Sequence, residues 1–218
     1  LNIGDSAPSS DGIQLDWWPD TAAQVVTVTI GGNDIKFGDF AKACILDFAS
    51  CGIGSAPYNA SLNKINTELA GKLTEVYRKI LKYAPNAKVF VIGYPQVMAN
   101  KAPNDLNDAR CFYMYDPNDT TDHWKDVRGA RDIVTKLDQK INDTVTAVRN
   151  ESAGNTRLHY VPVDGSNSEF LGHEVCGTLT SWFQNVDQAV NNPDYVFHPN
   201  ASGQQGYASM VATEINAS

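Results

Sequence analysis

The chain has 218 residues, 42% of them hydrophobic, and a net charge of −8. That length suits one domain over residues 1–218 with a sizeable core. Its acidic balance and scattered lysines and arginines argue against nucleic acid or an anionic membrane surface as partners. No apolar run approaches the ~18 residues of a membrane-spanning helix, so the chain reads as soluble. Leu1-Asn-Ile-Gly lacks the charged and apolar regions of a secretory leader.

Residues 1–24 are rich in Ser, Asp, Gly and Pro and read as loop, with at most a short helix near Gln14–Trp18. Val25-Val-Thr-Val-Thr-Ile30 follows, six β-branched residues in a row, the pattern of a parallel strand buried on both faces. It stops at Gly31-Gly32-Asn33-Asp34. Phe37, Phe40, Ala41, Cys44, Ile45 and Phe48 then fall at helical spacing, which predicts a helix over 36–48. After a loop at Gly52–Pro57, Leu62, Ile65, Leu69, Leu73, Val76, Ile80 and Tyr83 mark a helix over 61–83, with Pro85 just beyond its end.

Lys88-Val-Phe-Val-Ile-Gly93 is a second short strand, ending at Gly-Tyr-Pro. Residues 96–124 are a long polar loop holding Cys111. A third long helix is expected over 126–150, and Arg157-Leu-His-Tyr-Val161 is a third strand. The tail reads as a loop at 164–180, a short helical stretch near 181–190 and a last helix from Ala201. Strands alternating with amphipathic helices imply a parallel sheet with right-handed crossovers.

Four cysteines fit two disulfides. Cys44 and Cys51 are close enough to close a small loop, and Cys111 with Cys176 would tie distant segments together. A zinc site is the competing reading, but no Cys-x-x-Cys pair exists, and no metal is expected. Asn-x-Ser/Thr sequons occur at Asn59, Asn118, Asn142, Asn150, Asn200 and Asn216. Together with paired cysteines they favour a secreted, eukaryotic glycoprotein.

Two places could carry chemistry. A neutral amide at Asn33, on the carboxyl end of a buried strand, lies where ligands bind in open α/β sheets. It can donate to a developing oxyanion without bringing a charge; the plainer reading is a glycine turn with Asn chosen for its left-handed tolerance. Among the histidines, His123, His159 and His173 read as structural. His198 differs, because it sits in Val196-Phe-His-Pro-Asn200, a loop stiffened by Pro199 directly before a helix with Gly203 and Gly206.

Thr29-Ile-Gly-Gly-Asn-Asp-Ile35 resembles the third block of the SGNH (GDSL-type) hydrolases. Phe197-His-Pro-Asn-Ala-Ser-Gly203 with Gly206-Tyr-Ala208 resembles their fifth. The cysteine pattern and Phe170-x-Gly-His-x-x-Cys176 look like the secreted lipase/esterase branch. The resemblance runs from about residue 14 to the end. It implies a flavodoxin-like α/β fold, a three-layer α/β/α sandwich around a parallel sheet, and carboxylic ester hydrolysis by a serine–histidine acyl-transfer mechanism without a cofactor. Asn33, beside Gly32, would supply the oxyanion hole, and His198 the general base. The implied substrates are esters: lipid, acylated sugar or small ester.

The family's nucleophile belongs to a Gly-Asp-Ser block, and Gly4-Asp5-Ser6 is present. Only Leu1-Asn-Ile3 precede it, however, and Ser6 lies just 27 residues before Asn33, too few for the helix, strand and helix that usually intervene. Either Ser6 serves in a compact variant, or the serine lies on a missing N-terminal segment or a second chain; the scarcity of strands favours the latter. Position 195 is Tyr where many members have Asp, with Asp194 one residue back. The Tyr195 carbonyl or the Asp194 carboxylate would then orient His198. The rival expectation is a non-catalytic glycoprotein, or one fragment of a nicked hydrolase lacking its nucleophile.

Overall fold

Three parallel strands, β1 (Val25–Val28), β2 (Lys88–Ile92) and β3 (Leu158–Val161), pair in the order β1-β2-β3. Val26 lies opposite Val89, and Val89 opposite Leu158. A computed structural model describes residues 21–45, 50–101, 114–116, 121–184 and 197–218. Ser6, Cys111, Asn118, Asp194 and Tyr195, with the expected helix near 14–18, lie outside the described residues.

Side chains alternate across β2, and the alternation decides the layers. Val89 and Val91 join Leu158 in the larger apolar cluster, with helices α1 (Phe37–Ile45), α2 (Ala56–Lys64), α3 (Ala70–Tyr83) and α4 (Lys125–Arg149). Phe90, Ile92 and Val161 face the other way, onto Val211 of α5 (Ala201–Ala217). The result is an α/β/α sandwich whose last helix alone, among those described, covers the second face.

The long helices match their periodicity. Val127, Ala130, Val134, Leu137, Ile141, Val145 and Val148 are all buried on α4. The helix expected from residue 61 begins earlier, at Ala56, because Ser55 caps it by accepting the Tyr58 N–H. It passes into α3 through a π-helical turn at Ile65–Leu69. β1 is shorter than expected and is not buried on both faces. It has β2 on one flank among the described residues, and its Val25 is 45% exposed. Residues 181–184 are not helical, since Phe183 instead bridges Pro199.

The Cys44–Cys51 disulfide forms as expected, with the Cα atoms 5.2 Å apart. Cys176 is disulfide-bonded too; the Cys111 expected as its partner is not described. The Cys51 loop docks on the start of α4, where Asp126 Oδ1 accepts the Cys51 N–H at 2.8 Å. Gly129 makes this docking possible, because a Cβ there would stand 2.2 Å from the Cys51 carbonyl oxygen. Gly129→Ala is therefore expected to lower stability by roughly 1–3 kcal/mol through overpacking against backbone, read as a drop of several degrees in Tm.

Candidate active site

The Gly31–Asp34 turn leaves the carboxyl end of β1 and runs into α1. Gly31 adopts φ +118°, open to glycine and strained for other residues. The turn is fastened from within: Ile35 N–H donates to Gly31 O, Phe37 N–H to Gly32 O and Lys36 N–H to Asn33 O, at 3.0–3.2 Å. Lys72 pairs with Asp34 at 3.1 Å, and that hydrogen bond raises the lysine's pKa. What the turn leaves loose is the Asn33 side chain, which is exposed and makes no hydrogen bond with any described residue. Asn33 is not among the positive-φ residues. Left-handed tolerance is thus not what places an asparagine there.

His198 is held by backbone on both sides. Its carbonyl accepts the Gln184 N–H at 2.9 Å, and Asn200 N–H donates to Trp182 O at 2.8 Å. Asn200 also caps α5 by accepting the Gly203 N–H at 3.1 Å. Gly203 and Gly206, noted in the sequence only as a pattern, let α5 lie against Trp182. A Cβ on either would come within 2.5 Å of that residue. Phe197 adopts φ +65°, a strained angle for an aromatic residue. Its ring is thereby buried while the neighbouring His198 is exposed.

That buried ring joins the two motifs. Phe197 packs on Phe37 of α1, with centroids 6.4 Å apart. So the Asn33 turn and the His198 loop, separated by 165 positions in the sequence, adjoin at the carboxyl edge of the sheet. Two concavities of the described surface lie on the outer face of α3 and beside Ser50–Ser55, and neither is lined by Asn33. Placements of Ser6, Asp194 and Tyr195 fall outside the described residues. The other histidines are structural: His123 Nδ1 meets Asp116 O, His159 stacks on Phe90, and His173 stacks on Trp182 with Nδ1 at Thr180 O.

Two residues were missed in the sequence. Tyr94, two residues beyond the end of β2, accepts the Gly32 N–H on its hydroxyl at 3.0 Å, so the Gly32 amide is already engaged. Burial pushes the phenol up to about 12. Asp138 stands on the buried face of α4, 4% exposed, and accepts the Tyr94 N–H on Oδ1 at 2.7 Å. Its Oδ2 is buried with no hydrogen-bond partner among the described residues. The available signals were a Gly-Tyr-Pro at a strand end and a carboxylate inside an apolar helical face.

Burial, reinforced by Asp164 and opposed by the Tyr94 N–H bond, pushes the Asp138 carboxyl up to about 8. The folded state therefore holds this proton where the unfolded chain, near pH 4, has released it. The contribution to stability is full below about pH 4 and falls as pH rises toward 8, by at most ~1.4 kcal/mol per unit. Asp138→Asn should remove that slope. The check is the difference in urea midpoint between parent and variant from pH 4 to pH 8, which is expected to shift in the variant's favour as pH rises.

The model of the GDSL-like Lipase/Acylhydrolase family matches residues 4–205. Lipase 1 of Streptomyces coelicolor is 31% identical over 183 residues, covering 84% of this chain and 56% of that protein. A lipase of Streptomyces rimosus is 28% identical over 192 residues, 88% of this chain and 60% of the relative. The chain thus spans somewhat over half the length of these curated relatives. Among solved structures, phospholipase A1 from Streptomyces albidoflavus NA297 superposes with a TM-score of 0.66 at 22% identity, covering 92% of this chain and 72% of that one. The extracellular lipase from Streptomyces rimosus gives 0.62 at 24% identity, covering 89% and 70%. At such identities the structural likeness is one of fold.

Proposed function

The chain belongs to the GDSL-like lipase/acylhydrolase family, and from that premise we propose that it is a secreted carboxylic ester hydrolase, residues 1–218 being part of a single domain, working by serine–histidine acyl transfer. The observation that carries this reading is the Phe37–Phe197 contact, which sets the Asn33 turn beside the His198 loop. In the proposed reaction a serine Oγ attacks the ester carbonyl while His198 Nε2 takes its proton. Asn33 donates its amide N–H to the oxyanion of the tetrahedral intermediate. His198 then protonates the departing alkoxide, and in the second half activates water against the acyl-enzyme. The Tyr195 carbonyl or the Asp194 carboxylate holds Nδ1–H. No step needs a metal or cofactor.

We assign the serine to a further segment, or a second chain, seated along the flank of β1 that no described strand covers, rather than to Ser6. The 27 residues from Ser6 to Asn33 are too few for an intervening helix, strand and helix. Labelling with a fluorophosphonate, followed by mapping of the modified peptide, tests this assignment. Label on a serine of such a segment is expected. Label on Ser6 would reverse the assignment, and no label on active-site serines would favour a non-catalytic glycoprotein or a fragment without its nucleophile.

Ester substrates follow from the family chemistry, with lipid, acylated sugar and small ester as the classes to assay. Secretion is supported by the Cys44–Cys51 disulfide, a bond that persists in oxidising compartments. Asn142, Asn150 and Asn216 are exposed and suit glycosylation, and Asn59 is exposed with its Nδ2 donating to Gly54 O at 2.8 Å. Asn200 does not: its Nδ2 donates to Ser181 O at 2.9 Å and its Oδ1 caps α5. Peptide mass analysis after enzymatic deglycosylation in heavy-oxygen water should find Asn200 unmodified, and 18O incorporation there would contradict this.

A further inference from the structure

The turn carrying Asn33 is fixed to α1 by its own backbone bonds, which leaves open what fixes it relative to the rest of the sheet edge. Two polar contacts reach the turn from other elements among the described residues. One is the Lys72–Asp34 pair, whose side chains are 48% and 30% exposed and therefore screened by solvent. The other is the Tyr94 hydroxyl on the Gly32 N–H, between a buried glycine and a phenol packed against the main core. Gly32 is built for this approach, since a Cβ there would stand 3.2 Å from the hydroxyl oxygen.

Tyr94 is itself held. It follows Gly93, whose N–H donates to Val161 O at 3.0 Å, and its own N–H is tied to Asp138 on α4. A continuous path runs from α4, through the Asp138 carboxyl and Tyr94, to the Gly31–Gly32 peptide, one peptide ahead of the one that joins Asn33. We propose that Tyr94 is the positioning residue of the oxyanion turn: its hydroxyl, tethered through Asp138 to α4, sets where the Asn33 amide stands. This inference rests on the reading of Asn33 as oxyanion donor. The phenol touches neither substrate nor reacting atoms. It acts through Gly32, and a donor displaced by a fraction of an ångström stabilises the transition state less while ground-state binding is largely kept.

The test is a double-mutant cycle on hydrolysis of an activated ester. Tyr94→Phe is expected to lower kcat about tenfold to a hundredfold with KM changed less than about twofold, and to add no further loss in an Asn33→Ala background. Amide hydrogen exchange of the Gly31–Asp34 segment should quicken in Tyr94→Phe, whether or not activity is measured. Incorporation of 3,5-difluorotyrosine at 94 weakens the hydroxyl as acceptor while keeping its bulk. It should move kcat in the same direction, and it serves in place of Tyr94→Phe should that variant not fold. If Asn33→Ala is impaired while Tyr94→Phe retains full kcat, or if the two losses are additive, the proposal is overturned alone. Unchanged kcat in Asn33→Ala would overturn the oxyanion reading and this inference with it.

Discussion

His198→Ala is expected to reduce ester hydrolysis by roughly 10⁴–10⁶-fold in kcat, leaving the residual rate that binding and the oxyanion donor supply without a base. Without the imidazole nothing takes the serine proton as Oγ attacks, and nothing protonates the alkoxide that leaves. The fold should survive, because the exposed ring adds little to the core, and the bond that places the loop uses the His198 carbonyl, which alanine keeps. Phe197 stays against Phe37 and the cap at Asn200 is unchanged. Steady-state rates on any ester the parent cleaves, with near-ultraviolet circular dichroism as the fold control, check this. A variant that kept most of the activity would remove His198 from the mechanism.

Asn33→Ala should lower kcat by about 10²–10³-fold, equivalent to ~2.7–4 kcal/mol of transition-state stabilisation, with KM nearly unchanged. The amide is neutral, so the ground-state carbonyl gains little from it, whereas the tetrahedral oxyanion gains a hydrogen bond across a short distance. The substitution is structurally mild. Asn33 has negative φ, its side chain is exposed, and the bonds fastening the turn belong to backbone that alanine retains. Asn33→Asp should be worse than alanine, since it places a carboxylate against the developing negative charge. Parallel kcat and KM measurements on the three proteins decide it, and equal losses in ground-state binding and kcat/KM would contradict the oxyanion role.

Much of this protein is written locally. The apolar repeat at three and four residues marks α3 and α4, because a helix brings those positions to one face whatever surrounds it. The β-branched run before Gly31-Gly32 announces β1, and the motifs around Asn33 and His198 name the family through short contiguous segments. Ser55 escaped notice as a cap because it sits in what reads as a loop. The helix it starts is sustained by the packing of Tyr58 and Ile65 into the core more than by any run of apolar residues.

Tertiary structure decided the rest. Whether β1 is buried on both faces depends on which elements flank it, and no residue within Val25–Ile30 can specify them. Asp138 looks like a solvated helix carboxylate until the β2–α4 crossover brings it, 44 positions along the chain, to the Tyr94 N–H. The Tyr94 hydroxyl meets Gly32 across 62 positions. Phe197 meets Phe37 across 160 positions of the chain. Local propensity acts over a few residues, because it comes from dihedral preference and neighbouring side chains. These contacts exist only once the parallel crossovers have closed and the carboxyl ends of the strands stand together, which is why the residues that carry the site could be read singly and their assembly could not.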